Sequence, residues 1–287
     1  MNFIVLKCGS VARGDANELS DIDFVCLHEN RDVPFQLLSR TYPGISFYSR
    51  SSIERMRSRG ALFLTHIDVD GCPVEGDQRI LDWVKGFRPP RESVLQAAFE
   101  TKRIIGEIGW LPNSMEGRLW LCDILFVALR NFLYCTNASN NIYRFGLESA
   151  ISAFHLPDHY AKIFLELRQG KYRYRLCPNA EAPGVKANIH LLAAELAEQV
   201  TGQAMPILLG GETDWSADWR MDYWGERFLE RAIINDEIAD DGYRAMLGEH
   251  NYHRRVLVNE VLSRVKAAQQ GLPVRRPRLR RGRGQAL

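Results

Sequence analysis

The sequence contains no C-x-x-C pair, no internal repeat and no unbroken run of about 18 apolar residues. The first absence argues against a zinc ribbon or a thioredoxin-type site. The six cysteines (Cys8, Cys26, Cys72, Cys122, Cys135 and Cys177) are scattered, mostly among apolar neighbours. They read as buried thiols in a reducing cytoplasm rather than a disulfide framework. The missing apolar run argues against a spanning helix and a membrane partner. The opening Met1-Asn2-Phe3-Ile4-Val5-Leu6 lacks the basic flank and the cleavage site of a secretion signal, so a cytoplasmic location is expected. Acid is missing from residues 271–287, which hold six arginines (Arg275, Arg276, Arg278, Arg280, Arg281 and Arg283). The net charge of +2 therefore hides a mildly acidic body, with 31 basic against 35 acidic side chains and a balance of −4. A Gly, Pro and Arg mixture cannot build a core, and 271–287 reads as a disordered basic tail.

What is present is enough for a core, since 46% of residues are hydrophobic and 25% charged. Residues 1–87 read as α/β. Strands are expected at Phe3–Lys7, Ile22–Leu27 and Gly44–Tyr48, and a helix at Ser51–Arg59. Leu62–Val69 and the segment around Val74–Glu75 read as extended. The Arg88-Pro89-Pro90 step is the expected boundary. Residues 91–270 then read as a helical domain, divided near 202–215. Its helices are expected at Ser93–Ile108, Met115–Cys135, Glu148–Phe154, Tyr160–Arg168, Ala187–Val200, Gly225–Asp236 and Asp241–Gln270. The fold class is thus α+β, a small mixed-sheet domain followed by an all-helical one.

The stretch that carries chemistry is Cys8-Gly9-Ser10-Val11-Ala12-Arg13-Gly14, followed by Ser20-Asp21-Ile22-Asp23-Phe24. A glycine after an apolar strand permits a tight turn that brings backbone N–H groups close to an anion. Ser10 adds a hydroxyl donor at the start of the next helix, where the positive end of the helix dipole favours phosphate. Asp21 and Asp23, two apart on a strand, point to one face. Two hard carboxylates there are suitable ligands for magnesium carrying a nucleoside triphosphate.

This pattern resembles the signature of the DNA polymerase β-like nucleotidyltransferase superfamily, particularly its small bacterial members. Ten residues, Val11 to Ser20, separate its two halves, as is usual for those members. Gly60-Ala61-Leu62-Phe63-Leu64-Thr65-His66-Ile67 with Asp70-Gly71 also looks like the stretch that follows in many of them. The resemblance covers roughly residues 1–87. It implies that Gly9 and Ser10 bind the triphosphate and that Asp21 and Asp23 hold Mg2+, with Arg13 a candidate for the phosphates or a surface arginine of the helix. It further implies transfer of a nucleoside monophosphate from an NTP, ATP foremost, to a hydroxyl of a small molecule or protein. Active members usually add a third carboxylate on a later strand. Gly44–Tyr48, the strand best placed for it, carries no acid. Asp68 is the candidate for that role, with Asp70 as an alternative, although Asp70-Gly71 also fits a plain turn. His66 is a further candidate base, against the simpler reading of a packed histidine. The missing acid supports an alternative function, a catalytically weak or inactive nucleotide-binding module acting as a regulator or toxin–antitoxin component.

Two other features need weighing. Arg130-Asn131-Phe132-Leu133-Tyr134-Cys135 has the Arg-polar start of a HEPN ribonuclease motif, but the histidine expected a few residues later is missing. A helix covering the sheet is the better reading. Lys171-Tyr172-Arg173-Tyr174-Arg175 interleaves cations with aromatics, which suits nucleic acid and equally suits a solvated edge. The acidic body disfavours nucleic acid as a partner. His250 and His253 lack a third ligand and read as surface.

Overall fold

A computed structural model describes residues 2–16, 22–29, 33–176, 185–217, 219–220, 222–238, 242, 244, 247 and 254–272. Asp21, Cys177, His250, His253 and the tail from Pro273 onward lie outside the described residues. The chain divides into two compact units. One comprises Met1–Lys102 with Arg130–Pro157, and the other Arg103–Leu129 with Asp158–Leu287. The Arg88-Pro89-Pro90 step lies inside the first.

The first unit holds a small mixed sheet of strands β1 (Phe3–Cys8), β2 (Asp23–His28), β3 (Ser46–Ser49) and β4 (Cys72–Gly76), in the order β3-β2-β1-β4. β1 pairs antiparallel with both β2 and β4, and β2 pairs parallel with β3. Alternation along the strands gives the sheet two apolar faces. One face carries Ile4, Leu6, Cys8, Val25 and Leu27 and is covered by Ile53 of α3 (Arg50–Ser58) and by Leu64 and Ile67 of α4 (Leu62–Asp70). The other carries Phe3, Val5 and Cys26 and packs on Leu38 of α2 (Phe35–Thr41). A five-residue helix, α1 (Gly9–Arg13), follows β1 directly. A 3-10 turn (Gln78–Trp83), the first part of α5 (Arg91–Glu107), the last turns of α6 (Met115–Ser139) and α7 (Leu147–Ala153) complete the unit.

One expected strand is a helix. Leu62–Val69 alternates well enough to pass for a strand, but Leu64 and Ile67 also sit at helical spacing. As α4 the segment buries Leu64, Thr65, Ile67 and Asp70 together. The covering helix expected around Arg130 is the C-terminal part of α6, which belongs to the same compact unit as the sheet.

The second unit is mostly helical. It contains the start of α6, α8 (Asp158–Leu176), α9 (Ile189–Thr201), α10 (Tyr223–Ile234) and α11 (Arg254–Gln269). A two-stranded parallel ladder joins β5 (Trp110–Leu111) to β6 (Leu208–Leu209). By length and composition α6 is apolar enough to cross a bilayer, contrary to the expectation from the sequence. Its most apolar window is 72% buried within the protein, the pattern of a core helix.

The Lys171–Arg175 stretch is not a solvated edge. Lys171 and Tyr174 are buried, and Arg175 forms a 2.6 Å ion pair with the fully buried Asp123. Arg227 lies 3.6 Å from Asp123 and 3.1 Å from Glu230, which also accepts from the Tyr174 hydroxyl at 3.2 Å. Arg175 of this stretch serves an internal ion network, and Lys171 lies 5.5 Å over the Phe126 ring. Charges buried in this way need partners to offset their desolvation.

Candidate functional site

The site is built around the end of β1. Cys8 pairs with Asp23 across the β1–β2 ladder, so the last residue of one strand faces the first of the other. The chain then turns at Gly9, whose φ of 72° lies in the left-handed region. A Cβ at Gly9 would stand 2.6 Å from Asp23 Oδ2. Only glycine lets the carboxylate settle against the turn, and this close approach ties the Gly-Ser motif physically to the Asp-x-Asp motif. Asp23 itself is exposed. Ser10 follows at the start of α1, and its carbonyl accepts from the N–H groups of Gly14 and Asp15, which closes the short helix.

On the other side of β1, α4 delivers a second carboxylate. Asp70 Oδ2 lies 2.6 Å from Arg13 Nη1, and the Asp70 side chain is only 5% exposed. His66 Nε2, one turn earlier on α4, is 3.0 Å from the same oxygen. Burial alone would raise the Asp70 carboxyl, but His66 and Arg13 beside it hold it below the ordinary value of 3.8. Arg13 also donates through Nε to Asp15 at 3.2 Å. Its guanidinium is thus engaged by two carboxylates within the protein. The His66 ring lies 4.6 Å from that of Phe145, and a Cβ on the next residue, Gly146, would come within 2.7 Å of Asp15 Oδ2. The Cys8 thiol is pushed up to about 12, first by burial and then by Asp23 and Asp70.

Asp68 is turned elsewhere. Two residues along a helix is about 200° of rotation, and Asp68 accepts from the Gly86 N–H at 3.0 Å and from Arg88 at 2.6 Å. β3 offers Ser46 and Tyr48 on the face that carries Asp23, since Ser46 pairs with Val25. The Tyr48 phenol is raised mainly by burial, with Ser46 beside it acting the other way. No carboxylate occupies β3. The Asp70–His66 contact escaped the sequence reading because it depends on i,i+4 spacing. That spacing becomes visible only once the segment is known to be a helix.

Asp23 contributes one hard carboxylate of the kind that a divalent cation takes as an oxygen ligand. Among the described residues no group of three His, Cys, Asp or Glu side chains is placed to hold a metal. The second carboxylate of the motif, Asp21, lies outside them.

No curated protein and no solved structure matches the chain. A family match falls on the segment just described, from β1 through the turn and β2 to the end of β3. Residues 5–50 match the family described as nucleotidyltransferase domain. Such domains act on an NTP and generally use divalent metal ions. The β1–Gly9–Asp23 region is therefore similar to a nucleotidyltransferase domain over residues 5–50, which is consistent with the nucleotidyltransferase superfamily that the motif resembles.

Proposed function

We propose that the protein moves a nucleoside monophosphate from an NTP, ATP foremost, to a hydroxyl of a small molecule or protein, with release of pyrophosphate. The observation that carries this reading is the Asp23 carboxylate resting on Gly9 within the matched segment. In this reading the backbone at Gly9 and the Ser10 hydroxyl hold the triphosphate. Asp23, with Asp21 two residues before it, would hold Mg2+, which when bound stabilises charge on the phosphates. The acceptor oxygen bonds to the α-phosphorus as the bond to the bridging oxygen breaks. The hydroxyl proton passes to solvent or a nearby base. Arg13, held by Asp70 and Asp15, is assigned to fixing α1 under the turn rather than to the phosphates. The five described cysteines are free thiols, in keeping with a cytoplasmic location.

A second reading has its own support. Ser46 and Tyr48 stand where a third carboxylate is usual in active members, so the face that bears Asp23 has no acid on β3 to take the acceptor proton. In this reading the protein binds nucleotide and acts through partners as a regulator or toxin–antitoxin component. The two separate in one experiment, incubation with each α-labelled NTP, Mg2+ and cell lysate alongside a direct binding titration. Label transferred to a lysate component supports the first reading. Nucleotide binding without transfer supports the second, and neither binding nor transfer overturns both.

A further inference from the structure

The interleaving of cations and aromatics at 171–175 is buried or half-buried, but an exposed surface of that kind exists in the first unit. α3 and the residue after it carry Arg50, Arg55, Arg57 and Arg59 against one acid, Glu54. Glu54 is engaged by Arg50 at 3.2 Å, and Arg50 also reaches Glu29. Arg55, Arg57 and Arg59 are exposed, as is Lys85 on the segment that packs beside α3. Among the described residues none of these four forms an ion pair, whereas Arg13, Arg50, Arg79 and Arg88 of the same unit all do.

The surface is also organised. Arg57 Nη1 donates to the Trp83 carbonyl at 2.8 Å, and its guanidinium lies 4.9 Å over the Phe87 ring. Arg50 lies 5.5 Å over Trp83. Both rings are partly exposed, and beneath them Ile53 and Val84 belong to the same core cluster, so the platform is anchored. Arg55 and Arg59 are one helical turn apart, about 6 Å along the axis. Cations near a helix C-terminus gain roughly 0.3–1 kcal/mol from the dipole. That accounts for one or two arginines at the end of α3, but not for Lys85 or for the seating of Arg57 on Phe87. Like charges at i,i+4 moreover repel.

We propose that this surface, formed by Arg55, Arg57, Arg59 and Lys85 around Trp83 and Phe87, binds single-stranded nucleic acid. Planar guanidinium groups match phosphate, and the flanking rings and stacked guanidiniums offer flat faces to unstacked bases. An acidic protein supplies the charge but not the flat bases. Arg57, already fixed by its hydrogen bond and ring, loses less freedom on binding than a free side chain would. The inference stands on α3 and does not depend on turnover at Asp23.

The test is fluorescence anisotropy of labelled single-stranded RNA and DNA with the full chain, as salt is raised from roughly 50 to 200 mM. Each phosphate contact on a single strand adds about 0.7 to the slope of log affinity against log salt. The Arg55→Gln/Arg57→Gln/Arg59→Gln variant should thus bind more weakly with a slope about 2 smaller. Its melting temperature shows whether losing the Arg57 anchor disturbs the fold. The Arg55→Gln/Arg59→Gln variant, which spares that anchor, should still lower the slope by about 1.4. Affinity and slope unchanged in both variants would assign any binding to the arginines beyond residue 272 and overturn the proposal. No binding at low salt would do the same. So would displacement by polyglutamate as effective as by unlabelled oligonucleotide.

Discussion

Two carboxylates flank the end of β1, and their surroundings are opposite. Asp70, on the β4 side, is buried and held by Arg13, with His66 beside it. Asp23, on the β2 side, is exposed and rests on a glycine that leaves room for nothing larger. A buried carboxylate paired with a guanidinium braces the fold, because its charge is already balanced. In the proposed function, the one held at the surface turn meets an incoming cation. The residue type is the same, and the neighbours decide the role.

The largest effect on stability is expected at Asp70. Removing one partner of a buried ion pair costs about 3–5 kcal/mol, and the partial exposure of Arg13 and His66 lowers the expectation for Asp70→Asn to about 2–3 kcal/mol. The shift of the urea midpoint measures it. The same contact predicts acid sensitivity. The Asp70 carboxyl titrates lower in the folded chain than in the unfolded one, so its stabilisation is complete above 3.8 and is lost as pH falls below that value. Asp70→Asn should flatten this part of the acid-unfolding curve. An unchanged midpoint would erase the distinction between the two carboxylates.

A smaller effect on stability is expected at the turn. Gly9→Ala places a side chain at a φ of 72° and drives it into Asp23. The strain amounts to roughly 1–2 kcal/mol. Nucleotide affinity should fall with it, because Asp23 must move. Lost stability with full affinity would show that the position of Asp23 against the turn has no bearing on binding. The smallest change is expected from Asp23→Asn, within about 0.5 kcal/mol in stability, as for most surface substitutions.

The parts legible in the sequence are those fixed by short-range rules. The β1 turn and Asp23 lie within fifteen residues of each other, and the tight turn and two-residue alternation follow from local chemistry. Most of the later helices follow from apolar spacing in the same way. Tertiary choices were not legible. Leu62–Asp70 fits both periods, and packing on the Leu6 and Val25 face selects the helix. The Arg13–Asp70 pair joins residues 57 apart, beyond the reach of any local pattern. Lys171 and Tyr174 have the composition of a surface, and their buried partners come from other helices. The arginines of α3 look similar in composition and remain exposed.

Isothermal titration of the full chain with ATP, with and without Mg2+, tests the central claim most directly when the wild type is set beside Asp23→Asn and Asp70→Asn. Changes to residues that merely support a metal ligand typically cost 10–100-fold in metal affinity, so Asp23→Asn should lose at least about 10–100-fold of the Mg2+-dependent ATP affinity. Asp70→Asn, measured at a temperature where it is folded, should stay within a few-fold of the wild type. Mg2+-dependent affinity that survives in Asp23→Asn and disappears in Asp70→Asn would contradict the assignment of the two carboxylates.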